Sequence, residues 1–303
     1  MKRILTVLFS ICLATAVQAQ LLYQISGNGL GKPSYIVGTY HMAPSSFTDS
    51  IQGLRDVIKS CQQVYGELVQ SEMLKPDIAA KAQQAMMLPE GMTLSKLFTP
   101  EEMTRIKDYT NNLAGPLAGS VLVSQMERMT PQAVSTTLEV LNYVKKSNSL
   151  NVANGIDLYL QQYATELGKE VGGLETADFQ INALFCSNTI ERQKQLLLCM
   201  VDHPDIIDQI AELVIKYYFA QDLEGLKTAM DIKTGDACDG TPEEEARIID
   251  NRNADWLTKM PAIMQDKSTL FAVGAAHLFG EKGVLNLLRE AGYNVSPYPN
   301  KLP

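Results

Sequence analysis

The chain has 303 residues, a formal charge of −8 and 46% hydrophobic residues. That is material for one sizeable core or two smaller ones. The acidic balance argues against nucleic acid and against anionic membranes as partners, and it identifies no substrate.

The first residues read as a cleavable export signal. Lys2 and Arg3 precede the apolar Ile4–Val17 stretch, and Val17-Gln18-Ala19 offers a small-residue cleavage site before Gln20. The stretch is too short to span a membrane, and no later run reaches the ~18 apolar residues of a spanning helix. Cys12 lies inside it, and Phe9-Ser10-Ile11 makes a poor lipidation signal. The expectation is a cleaved periplasmic or secreted chain, a single domain over residues 20–303 with a charge near −10. Four cysteines remain: Cys61, Cys186, Cys199 and Cys238. Export permits disulfides. Cys186 and Cys199 share a helical region, which suggests a staple between them; four cysteines allow three full pairings, and the sequence does not choose. No C-x-x-C pair is present, which argues against cysteine-only metal sites and thioredoxin-type chemistry.

Leu21–Ile25 and Ser34–Gly38 are short apolar runs separated by Gly27-Asn28-Gly29, and they predict a β-hairpin. The second run delivers Gly38 and then His41. Phe47–Ser60 has helical spacing at Ile51, Leu54, Val57 and Ile58. Val64–Leu68 predicts another strand, carrying Glu67. From about Pro76 to Gln221 the pattern is almost all helix, with start signals at Thr99-Pro100-Glu101-Glu102 and Thr130-Pro131. Ser147–Asn154 reads as a polar loop, Ile156 opens a helix, and Lys169–Leu174 suits a short strand. His203-Pro204 marks a helix junction. Thr241-Pro242-Glu243-Glu244 opens a helix through Trp256 to Ile263. Leu270–Gly274 is then a strand, followed by His277, a helix over Glu281–Ala291, the helix-ending Gly292 and a last strand at Tyr293-Asn294-Val295.

Both ends of the chain therefore read as strand, G-x-x-H, helix, strand. The fold class expected is mixed α/β (α+β): a central mixed sheet built from the two end units, with a large helical insert at about 76–230. The chain has three histidines, and two of them, His41 and His277, occupy the matching G-x-x-H context. A side chain projecting from the carboxyl end of a buried strand stands where ligand crevices form in α/β sheets. Imidazole is the commonest protein metal ligand and the side chain best matched to proton transfer near neutral pH. Glu67 is the best acid, since a carboxylate in an apolar strand is costly unless partnered. His203 has no such context and reads as a helix-boundary residue.

The ordered set of motifs resembles the TraB/PrgY/GumN family, whose animal relatives are the Tiki metalloproteases. Gly38-Thr39-Tyr40-His41 and Gly274-Ala275-Ala276-His277-Leu278 match its two G-x-x-H motifs. Gly280 and Gly283 match the continuation of the second, and Gly292-Tyr293-Asn294-Val295 matches its G-Y-x-V ending. Glu67 falls at the family's glutamate. Gly155-Ile156-Asp157, Gly173-Leu174-Glu175-Thr176 with Gln180, Tyr218 to Asp222, and Arg252-Asn253 also look like family positions.

The resemblance implies a peptidase-like hydrolase. His41, His277 and Glu67 would bind a divalent metal ion or activate water directly, the metal lowering the pKa of its bound water. Arg252 would stabilise a developing oxyanion or hold a substrate carboxylate. Gly38, Gly274 and Asn253 would contact substrate, a peptide or a small ester or amide. Asp157 is either a helix-start acid near the site or a plain cap. No H-E-x-x-H helix is present, which excludes an ordinary zincin. The alternatives are a metal-independent esterase or amidase using histidine and glutamate, as in erythromycin-esterase-like relatives, and a non-enzymatic binding protein for an exported peptide or signal.

Overall fold

The computed structural model describes residues 20–147 and 155–299. The expected export leader and nearly all of the Ser147–Asn154 loop lie outside the described residues. Six strands form one mixed sheet: β1 Leu22–Ser26, β2 Ser34–Thr39, β3 Gln63–Gly66, β4 Glu170–Gly173, β5 Thr269–Gly274 and β6 Asn294–Pro297. Their order is β4-β3-β5-β2-β1-β6. The four strands β4, β3, β5 and β2 run parallel, and β1 pairs antiparallel with both β2 and β6.

The two end units share this sheet by interleaving. β5, from the second unit, lies between β2 and β3 of the first. The hydrophobic effect explains the placement. Ile36, Val37, Leu270, Phe271 and Val273 are each 0% exposed, as expected of central parallel strands covered on both faces. The interleaving brings three strand ends together on one edge: β2 leads to His41, β5 to His277 and β3 to Glu67.

Two local readings change. Phe47–Ser60 is not one helix: Ser45–Ser50 is a 3-10 turn and the α-helix covers only Leu54–Ser60. Gly53, left-handed at φ 82°, separates them. The second change concerns the disulfide. It joins Cys199 to Cys238, with Cα atoms 5.4 Å apart, rather than Cys186 to Cys199. Cys199 sits nine residues into the rigid helix Ile190–Asp202, roughly 14 Å along its axis, beyond a disulfide's reach from a residue preceding that helix. Cys186 is an exposed thiol, and Cys61 a buried one.

Between β3 and β5 the described chain is helical apart from β4 and its turns. Capping boxes close at Thr99 with Glu102 and at Thr241 with Glu244. Part of this helical region carries its own apolar cluster, built on Leu94, Ile106, Leu138 and Leu197. Tyr218, from the helix Pro204–Phe219, reaches back to the sheet, where its hydroxyl donates to the Gly38 carbonyl at 3.3 Å. Among the described residues no helix is long and apolar enough to cross a membrane.

Candidate active site

The carboxyl edge of β2, β5 and β3 holds two unlike constellations. The first is buried. Glu67, just past β3, accepts the Gly274 N–H at 2.8 Å through Oε1. Its Oε2 accepts from Gln180 Nε2 at 3.1 Å and from Arg252 Nη2 at 2.5 Å. Arg252 lies on the helix Asp250–Asp266, whose 3.6-residue period puts Arg252, Asn253 and Trp256 against the sheet edge.

Arg252 spends all five of its donors. Nε and Nη2 reach the Glu175 carboxylate at 3.0 and 2.7 Å, and Nη2 also reaches Glu67. Nη1 reaches the Ile248 carbonyl at 3.0 Å and His277 Nε2 at 3.1 Å. The guanidinium also lies over the Trp256 ring, 5.0 Å from its centroid, and Trp256 Nε1 donates to Glu175 at 3.1 Å. The Arg252, Glu67 and Glu175 side chains are 5%, 6% and 2% exposed.

The hydrogen bonds settle the His277 tautomer. Asn253 Nδ2 donates to the His277 and Lys282 carbonyls at 3.3 and 2.8 Å, so its Oδ1 is the acceptor facing His277 Nδ1 at 2.7 Å. The proton therefore sits on Nδ1, and Nε2 presents its lone pair to Arg252. Burial pushes the His277 imidazole down to about 4, against the pull of Glu67. Burial alone would raise the Glu67 carboxyl. The imidazoles of His277 and His41, the Arg252 guanidinium and the Gly274 N–H outweigh it and hold the group at about 2. Near neutral pH His277 is uncharged, which leaves Arg252 and His41 as the cations facing Glu67.

The second constellation is open. His41 follows β2 with 62% of its side chain exposed. Its Nδ1 donates to Asp157 Oδ2 at 2.8 Å, and the other Asp157 oxygen accepts from Thr39 Oγ1 at 2.6 Å. Asp157 stands in the first turn of the helix Ile156–Glu166. Its carboxylate pushes the His41 imidazole up to about 9, with desolvation opposing and Glu67 adding to the rise. Solvent at the open face screens part of that attraction. His41 Nε2 has no protein partner among the described residues.

The sequence-predicted residues therefore meet on one edge, in differing surroundings. Gly38 is buried, and a Cβ there would stand 2.9 Å from Leu278 Cδ1 and 3.1 Å from Ala275 Cα. It lets the two G-x-x-H motifs pack back to back instead of contacting substrate. Asn253 is 0% exposed with both amide ends engaged, so it orients His277 and does not face a ligand. Gly274 contributes its N–H to Glu67. The expectation for Arg252 changes as well: its donors are committed to protein groups. Asp157 proves to be the partner of His41 and not a plain cap. Glu175 and Trp256 were not singled out as site residues. Helical spacing from Arg252 was the available signal for Trp256, while Glu175 had only the buried guanidinium's need for a second carboxylate.

Two imidazoles and a carboxylate are donor types that suit a divalent ion. As arranged, the set does not fit one. The His277 lone pair faces a guanidinium and both Glu67 oxygens are occupied, so that His41, held by Asp157 through Nδ1, is the one member of the set with a free ligating atom. Among the described residues no three His, Cys, Asp or Glu side chains gather as a metal-binding group.

The TraB/PrgY/gumN family profile matches residues 21–297. The chain belongs to this family. It is similar to Metalloprotease TIKI1 of Danio rerio, at 26% identity over 89% of this chain and 62% of that protein. It is also similar to Metalloprotease TIKI2 of Danio rerio, at 25% identity over 89% of this chain and 59% of that protein. Metalloprotease TIKI1 of Homo sapiens is 26% identical over 89% of this chain and 61% of its own length. The chain thus spans about three fifths of the length of these curated relatives. No solved structure matches it.

Proposed function

We propose that this family member is an exported, peptidase-like hydrolase that cleaves a peptide or a small ester or amide at the open His41 edge. The observation that carries the reading is the His41–Asp157 pair, 2.8 Å apart on the carboxyl edge of the parallel strands with the second ring nitrogen free. Hydrolysis requires a proton to leave the attacking water and a proton to reach the leaving group. Neutral His41, oriented through Nδ1, takes the first through Nε2 and returns it to the leaving amine or alkoxide. Asp157 and ionised Glu67 stabilise the imidazolium formed in between. Arg252, Asn253 and His277 hold Glu67 in place. The similarity to proteins named metalloproteases supports a peptide substrate.

The Cys199–Cys238 disulfide supports an oxidising compartment, consistent with the basic and apolar leader. The test is hydrolysis of a mixed peptide library and of chromogenic esters, with and without divalent ions and chelator. Wild type, His41→Ala and Asp157→Asn are compared. Cleavage that depends on His41 is expected. Cleavage unchanged in His41→Ala, or none with any substrate, contradicts the reading.

A further inference from the structure

We propose that Arg252 is the resident cation of this site, its guanidinium standing between His277 Nε2, Glu67 and Glu175 where a divalent ion would otherwise bind. The inference rests on reading this edge as the catalytic centre, and it specifies what charge sits there.

Three side chains that ligate metals converge on one guanidinium. Nη1 lies 3.1 Å from His277 Nε2, Nη2 lies 2.7 Å from Glu175 Oε1, and Nη2 also bonds Glu67. The tautomer of His277 turns its lone pair toward this group, as it would toward a metal, and Asn253 fixes that orientation from the opposite nitrogen. A metal-ligating histidine commonly donates its other ring N–H to a carboxylate, a backbone carbonyl or water, and the Asn253 side-chain oxygen takes that place at His277. Here the same device serves a protein cation. With His277 neutral, the two buried carboxylates and one guanidinium sum to a net negative charge, which His41 faces from the open side. Removing Arg252 would leave two carboxylates and one imidazole lone pair with no cation among them. Those are donor types that a first-row divalent ion takes, although with Arg252 in place they do not gather closely enough to form a metal-binding group.

The guanidinium is also hard to displace. It would surrender five hydrogen bonds and leave two buried carboxylates unpaired, each costly in a low-dielectric interior. An arriving ion would have to compensate both. Arg252 is thus a positioning residue: it holds Glu67 and His277 at fixed distances with no exchangeable metal.

The experiment uses cobalt(II), whose visible absorbance reports ligand geometry, together with thermal melting of the full chain. Wild type is expected to take up no cobalt or zinc at this edge and to show no metal-dependent shift in Tm. Arg252→Met is expected to bind one cobalt per chain with new visible absorbance, and His277→Ala in that background to abolish it. Should Arg252→Met fail to fold, the wild-type arm decides: an unshifted Tm and hydrolysis insensitive to chelator support the proposal. Stoichiometric metal in wild type, lost in His277→Ala or Glu67→Gln, overturns it and leaves the hydrolase reading standing. A folded Arg252→Met that binds no cobalt also overturns it. Failure of all hydrolysis, with wild type still metal-free, sinks the hydrolase reading and not this one.

Discussion

The two G-x-x-H motifs are alike in sequence and opposite in physical state. His277 is 3% exposed, and burial pushes its imidazole down to about 4. His41 is largely exposed, and the Asp157 carboxylate pushes its imidazole up to about 9. One motif ends under a helix that brings Arg252, Asn253 and Trp256. The other ends beside a helix start that brings one acid. The same G-x-x-H spacing thus yields a buried histidine and an exposed one, and the difference lies in what the rest of the chain packs against each.

That contrast can be broken in order of expected effect. His41→Ala should lower turnover by roughly 10²–10⁴-fold, the range for loss of a positioned acid–base group, with little change in a urea unfolding curve. Glu67→Ala should lower turnover as well, and unlike His41→Ala it should also cost stability. It leaves Arg252 and the Gly274 N–H short of partners, and stability should fall by about 3–5 kcal/mol, the range for breaking a buried pair. Asp157→Asn sharpens the comparison from the open side. The active His41 is neutral, so the rate should rise with pH and level off above about 9 in wild type. With the carboxylate gone, the levelling point should move down toward the ordinary imidazole value near 6.5. A kcat/KM profile of both proteins reads the shift. Gly38→Ala should have the smallest effect. The new methyl meets Leu278 and Ala275 of the other motif, a clash worth about 1–3 kcal/mol in the same unfolding curve.

Much of the frame was legible in the sequence because it rests on local patterns. The Gly27-Asn28-Gly29 turn, the capping boxes at Thr99 and Thr241, and the apolar run Leu270–Val273 each declare an element without tertiary help. The convergence of Glu67, His41 and His277 followed from one topological step, two strand-ended motifs sharing a sheet. What sequence did not show was long-range electrostatics. Arg252 reads as an oxyanion or substrate-carboxylate binder until Glu67 and Glu175, 185 and 77 residues away, are seen to enclose it. Asp157 reads as a helix-start acid until β2 places His41 beside it. The disulfide depended likewise on which face of the helix Ile190–Asp202 meets the Asp236–Cys238 turn.

The division of labour between the two histidines can be read directly by an NMR pH titration of the imidazole C–H signals. Spectra of His41→Gln and His277→Gln assign the resonances. His41 is expected to titrate near 9, and His277 to remain neutral, its signal unmoved until the pH approaches about 4. A His277 that titrates near 6.5, or a His41 that loses its proton below 7, would contradict the account.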